Sequence, residues 1–128
     1  MPAIARILLG LTLLIFGLNG FFNFIPPPPK PMPDAAMDFM GALMKTGYMF
    51  PLIAGTQVLV GALLLTNRFV PLALALIAPV IVNILAFHAC LASSGLSVAV
   101  VVVALELYLA WAYRAAFRPM LAMRSRPT

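Results

Sequence analysis

The stretch Ser97 to Trp111, SVAVVVVALELYLAW, decides how this sequence folds, because it is apolar throughout except for the carboxylate of Glu106. A run of this kind predicts a membrane-spanning helix. Glu106 precedes the basic cluster that begins at Arg114 by eight residues, which corresponds to about 12 Å of helix. A carboxylate at that depth costs roughly a few kcal/mol or more, unless it is protonated, paired or facing a polar cavity.

The composition of the whole chain agrees with a membrane protein. Of its 128 residues 64% are hydrophobic and 9% are charged, and the mean hydropathy is +1.10. A soluble domain has about 25% charged residues. The net charge of +5 comes from basic residues in loops and at the ends, which are typical of topology signals, so we expect no nucleic-acid partner.

The single cysteine and the single histidine restrict the chemistry of the chain. One cysteine excludes an internal disulfide, a CxxC pair and a cysteine-ligated cluster, and one histidine excludes a multi-histidine metal or bis-histidine haem site. We therefore predict no metal site, no encoded cofactor and no catalytic activity of the chain on its own.

The hydropathy pattern predicts an all-α membrane protein with one domain over residues 1–128. Its core is a four-transmembrane-helix bundle with spans at about 4–24, 48–66, 71–92 and 96–114. A proline-rich segment from Pro26 to Pro33 breaks the chain after the first span. Together with a short amphipathic interfacial helix it forms the segment 25–46, and residues 115–128 form a basic tail.

The distribution of positive charge predicts the orientation in the membrane. Four spans place both termini and the turn after the second span on one side, with six arginines against two lysines on the other side. By the positive-inside rule, we expect both termini to be cytoplasmic. The arginines are Arg6, Arg68, Arg114, Arg118, Arg124 and Arg126, and the lysines are Lys30 and Lys45.

Three polar side chains are expected at similar depths in three different spans. Counted from the outer surface, Gln57, Asn83 and Glu106 lie within roughly 3 Å of one level in straight helices. They predict a polar layer near the midplane, which either binds a ligand or only joins the helices by hydrogen bonds. A second layer nearer the outside holds Asn19, Asn23 and His88.

Several single residues allow two interpretations. Gly10 and Gly17 lie two turns apart on one face, where they either admit a neighbouring helix closely or are simply tolerated in lipid. His88 either exchanges protons or ligates a haem iron or a quinone oxygen, or it is a structural donor; we favour the structural role. Cys90 is expected to be a small buried side chain.

Three segments carry a resemblance to a known family. They are ARILLGLTLLIFGLNGFFNF at 5–24, GALMKTGYMFPLIAGTQVLVGALLLTNRFVPLALALIAPVIVNILAFH at 41–88 and ALELYLAWAYRAAFRP at 104–119, and they resemble the DoxX family. The resemblance implies a small four-helix protein of the bacterial inner membrane. Some relatives are linked to thiosulfate:quinone oxidation or to membrane-associated oxidative-stress complexes, and most have no established activity. Many relatives have an acidic residue in the second span where this chain has Gln57.

Three functions are consistent with these features. The first is an accessory or redox-associated membrane subunit, with a quinone or lipid cleft lined by the candidate residues Glu106, Asn83, Gln57, His88 and Asn19. The second is a purely structural subunit that packs against a larger respiratory or photosynthetic complex. The third, a transporter, would require a homo-oligomer, because the sequence shows no inverted repeat.

Overall fold

In the computed structural model, residues 2–22 and 33–127 are described, and every regular element in these two ranges is helical. The prediction of an all-helical fold is confirmed. The prolines of residues 26–32 and Asn23 lie outside the described residues. The helices are α1 (Pro2–Phe22), α2 (Asp34–Lys45), α3 (Met49–Thr66), α4 (Val70–Cys90), α5 (Leu96–Ala112) and α6 (Arg114–Phe117), with 3₁₀ turns at Ser93–Gly95 and Pro119–Leu121.

Three of these helices, α1, α3 and α4, are each long and apolar enough to cross a membrane. A fourth span is formed if α5 and the segment that follows it are counted together, although the two are bent by 77°. Helix α4 continues through Pro79. The described residues therefore contain three to four candidate spans, which is the coarse architecture that the hydropathy pattern predicts.

The long helices form a closed ring in which α1 packs on α3, α3 on α4, α4 on α5 and α5 on α1. Small residues on α1 approach residues of α3 in reverse order along the chain, so these two helices are antiparallel. Apolar side chains from all four helices fill the centre of the ring. The buried cluster consists of Ala5, Leu9, Leu13, Val60, Leu64, Val70, Ala73, Leu74, Ile77, Ile81, Val102 and Leu109.

The contact between α1 and α3 is built on glycines. A Cβ atom added at Gly17 would lie 2.9 Å from the carbonyl oxygen of Ala54, and one added at Gly10 would lie 3.2 Å from the carbonyl oxygen of Gly61. Gly10 and Gly17, like Ala54 and Gly61, are seven residues apart, so the small residues stack along one face of each helix. The interpretation that Gly10 and Gly17 admit a neighbouring helix is confirmed.

A cation from α1 stabilises the C-terminal end of α3. The guanidinium of Arg6 donates a hydrogen bond to the carbonyl oxygen of Leu64 and a longer one, of 3.4 Å, to that of Leu65. The last carbonyl groups of a helix have no partner within the helix and carry its negative dipole end. Asn67 then ends α3 in the left-handed conformation, at φ 57°, so the chain can reverse into α4.

Helix α5 ends at Ala112, two residues before the predicted end of the fourth span at 114. Just beyond this end, the guanidinium of Arg114 donates to the carbonyl oxygen of Trp111 and stacks 4.5 Å above the centre of its ring. This cap uses a carbonyl group at the end of the helix, and the chain bends after Tyr113. The bend directs the basic tail away from the axis of α5.

Candidate functional site

Glu106 lies on the face of α5 that is turned into the bundle. The buried residues of α5 are Ala99, Val102, Glu106 and Leu109, and their spacing of three and four residues defines one helical stripe. Glu106 is 8% exposed and is the one charged residue among the buried residues of the described chain. It lies six residues before Ala112, or about 9 Å from the end of the helix.

The carboxyl group of Glu106 lacks a partner within the described residues. Its Oε1 atom is buried and takes part in no hydrogen bond there. Arg6 on α1 bonds instead to the carbonyl end of α3. A buried oxygen without a partner lowers the stability of a folded protein by about 1–3 kcal/mol. The carboxyl group of Glu106 therefore destabilises the bundle.

A cleft lies between α1 and α5 along the segment that contains Glu106. It has a volume of about 320 Å³ and is lined by Ile4, Ala5, Leu8, Leu105 and Tyr108. Its walls are almost entirely apolar, and Leu8 is half exposed on the outer surface of the bundle. The cleft can therefore admit an apolar ring or chain from the side of the bundle. Glu106 itself is not one of its lining residues; its neighbours on α5, Leu105 and Tyr108, are.

The other two residues of the predicted midplane layer point in different directions. Gln57 is half-buried and shares the stripe of α3 that includes Gly61 and Leu64. Asn83 is exposed on the outside of α4. Similar depth therefore does not bring Asn83 and Glu106 together, since one side chain faces away from the bundle and the other faces into it. Whether any of these residues binds a ligand stays a prediction.

His88 lies in the last turn of α4 and packs against the turn that leads into α5. Its Nδ1 lies 2.8 Å from the carbonyl oxygen of Ile84, and because a carbonyl only accepts, Nδ1 carries the proton. A Cβ atom added at Gly95 would lie 2.6 Å from Nε2 of His88. The ring therefore packs on the backbone of Gly95, an arrangement that supports the structural interpretation of His88. Its neighbour Cys90 is exposed, so the expectation of a buried cysteine is wrong.

Asn19 borders a separate cleft at the other end of α1. This cleft has a volume of about 420 Å³ and lies between the end of α1, helix α2 and the start of α3. Asn19 is itself half-buried. The cleft is lined by Asn19, Gly20, Met40, Leu43, Met44, Gly47, Phe50 and Pro51. Asn19 and Glu106 therefore do not share a cleft.

Two residues that shape the bundle are missing from the sequence-based prediction. Gly61 has Gly10 and Leu14 as direct neighbours. The sequence feature that indicates this role is the seven-residue spacing between Ala54 and Gly61, which matches the spacing of the two glycines on α1. Arg6 was interpreted only as a topology signal, and its contact with α3 has no sequence signature. Within the described residues, no group of three or more His, Cys, Asp or Glu side chains is placed to hold a metal ion.

Comparison with protein families supports the resemblance. The family model described as DoxX matches residues 1–89, which includes α1 to α4 up to the last turn of α4. No curated protein and no solved structure matches the chain significantly. The matched region is more than half of the 128 residues and agrees with the resemblance found in the sequence. The chain is a membrane protein that belongs to the DoxX family.

Proposed function

We propose that this chain is an accessory subunit of the bacterial inner membrane that is associated with redox proteins and binds a quinone or lipid molecule in the cleft between α1 and α5. The observation that carries this proposal is the buried Oε1 atom of Glu106, which takes part in no hydrogen bond within the described residues. Packing alone does not need an ionisable group at this position, and such a residue in a membrane span is by default a candidate functional site.

The chemistry of a quinone fits the two parts of this site. A quinone has an apolar ring and tail, and its two carbonyl oxygens accept hydrogen bonds. The cleft of about 320 Å³ is open to the side of the bundle and has an apolar lining, and small-molecule sites are mostly apolar with a few polar groups that fix orientation. A protonated carboxyl group at Glu106 donates to a quinone carbonyl and exchanges that proton when the quinone is reduced. The electrons come from a partner protein.

The orientation in the membrane follows from charge. In a four-span bundle, Arg6, Arg68 and Arg114 lie at the end where α1 begins and α5 ends, and the positive-inside rule makes this end cytoplasmic. Glu106 is then closer to the cytoplasmic surface than to the outer one. Helix α2 lies at the outer end, with Ala36 buried and Asp34 and Asp38 exposed, as in an interfacial helix. Its Met37 and Met44 are exposed as well.

Quinone binding is tested by photolabelling. The protein is reconstituted into lipid nanodiscs with an azido-quinone, irradiated and digested, and the labelled peptides are identified by mass spectrometry. We expect labelling of α5 and the first half of α1, and we expect Glu106→Gln to reduce it at least tenfold. Leu8→Trp, which fills the cleft without changing charge, should also reduce it.

Asp38→Asn is the matched control, because it makes the same change from carboxylate to amide on exposed α2 and should leave labelling unchanged. Glu106→Gln should remain folded, since it replaces a buried unpaired carboxylate by a neutral group of equal size. Equal labelling of wild type and Glu106→Gln, with the helicity of both intact, would refute the quinone site. The chain would then act through packing alone.

A further inference from the structure

The outward face of α4 carries a regular stripe of exposed side chains. The spacing between its members alternates between four and three residues, which keeps them on one line along the helix. A stripe with this repeat is the seam by which two helices pack at a shallow left-handed crossing angle. Its members are Leu72, Leu76, Pro79, Asn83, Ala86 and Cys90.

Asn83 is the unusual member of this stripe. It lies thirteen residues after Val70 and seven before Cys90, which places it about 10 Å from the nearer end of α4. Its amide forms no hydrogen bond with any residue in the described ranges, and its side chain is exposed. An amide that faces hydrocarbon without partners has lost its hydrogen bonds to water and regained none.

Three threonines of the candidate spans avoid this cost by local bonds. The hydroxyl groups of Thr12, Thr56 and Thr66 each donate to a carbonyl oxygen one turn earlier in their own helix, at 2.8 Å. Asn83 has no such contact. The amide is therefore free to bond across an interface, and its position in the middle of the stripe places it where another helix would contact α4.

We propose that α4 is the contact surface for a second copy of this chain, with the two Asn83 amides hydrogen-bonded to each other at a twofold axis. An amide has both donors and an acceptor, so it is complementary to itself. A twofold interface brings the same residue of both copies together at the axis. Two copies inserted with the same orientation necessarily place Asn83 at the same depth, whereas an unrelated protein would need a polar group matched to that level.

The residues around Asn83 fit this arrangement. Ala86 follows it on the stripe, and a small side chain there allows two helices to approach closely. A single asparagine in an otherwise apolar seam also determines the register and the number of chains in helical assemblies. This proposal is independent of the quinone site, because the stripe lies on the outside of α4 and the cleft lies between α1 and α5.

Cys90 provides the test, since it is the one cysteine of the chain and lies on the stripe two turns beyond Asn83. Native membranes are treated with copper phenanthroline, and the disulfide-linked dimer is quantified on non-reducing gels. We expect a dimer in wild type. The association constant is measured by diluting labelled protein in lipid vesicles and following energy transfer between copies. We expect Asn83→Leu to lower this constant roughly 3- to 30-fold.

The control places a cysteine at similar depth on another helix. Cys90→Ser combined with Val98→Cys moves the thiol to the exposed face of α5 and should give only background dimer. Asn83→Gln, which retains the amide, should dimerise better than Asn83→Leu. The proposal is overturned if Cys90 links no more than the α5 cysteine does, if it links to a different protein, or if Asn83→Leu associates as strongly as wild type.

Discussion

Replacing Gly61 by alanine should separate α1 from α3 and destabilise the protein. The added Cβ atom would lie 2.8 Å from the carbonyl oxygen of Gly10 and 2.8 Å from the backbone nitrogen of Leu14. Ordinary van der Waals contact begins at 3.4 Å, and both atoms belong to the backbone, so no side chain can move aside. The helices must move apart by about 0.6 Å or deform, and overpacking of this kind costs roughly 1–3 kcal/mol.

The cost of Gly61→Ala is measured by titration with sodium dodecyl sulfate in mixed micelles. The fluorescence of Trp111, the one tryptophan in the chain, and the loss of energy transfer between labels on α1 and α3 report unfolding. Helices persist in this denatured state, so the higher helix propensity of alanine is present on both sides of the equilibrium and largely cancels. The lower free energy of unfolding should therefore reflect packing.

Gly55→Ala in the same helix is the matched control. A Cβ atom added at Gly55 meets only the tip of the Phe21 ring, at 4.0 Å, so we expect a change within about 0.5 kcal/mol. If Gly61→Ala and Gly55→Ala unfold at the same detergent concentration as wild type, α1 and α3 do not pack through their glycines.

Two further predictions concern the ends of the helices. Arg6→Gln removes a charged donor from the carbonyl end of α3 and should lower the free energy of unfolding by about 1–2 kcal/mol. Arg68→Gln, at an exposed position near the same end, should change it little. Equal effects of the two substitutions in the same titration would contradict the cap. Gly95→Ala forces the ring of His88 out of its position and should lower the free energy of unfolding. Adding His88→Ala should restore much of this free energy. Additive effects of the two substitutions would show that the two residues do not interact.

Some of the functional interpretation was available from the sequence because it depends only on depth. Depth in a bilayer follows from the number of residues and the helical rise, so the depth of Glu106 within an apolar span was predictable from its position in α5. The close approach at Gly10 and Gly17 was predictable for a similar reason, since a seven-residue spacing places both on one face of a helix.

The direction of each polar side chain was not predictable in the same way. Gln57, Asn83 and Glu106 have similar depths, yet Glu106 faces the bundle and Asn83 faces away from it. Helices α3, α4 and α5 are apolar on nearly all sides, so hydropathy does not distinguish the face that packs from the face that meets lipid. In soluble proteins that difference sets the rotation of a helix, and here only packing can set it.

The sequence by itself therefore determined the composition, the helical class, the family resemblance and the depth of each polar group, because these depend on hydropathy and on position along the chain. The tertiary structure alone decided which groups meet. It directed Arg6 to the end of α3, placed His88 against Gly95, left the Glu106 oxygen without a partner within the described residues and turned Asn83 outward. The physical reason is that helix rotation in an apolar bundle is set by the fit of small and large side chains across each contact.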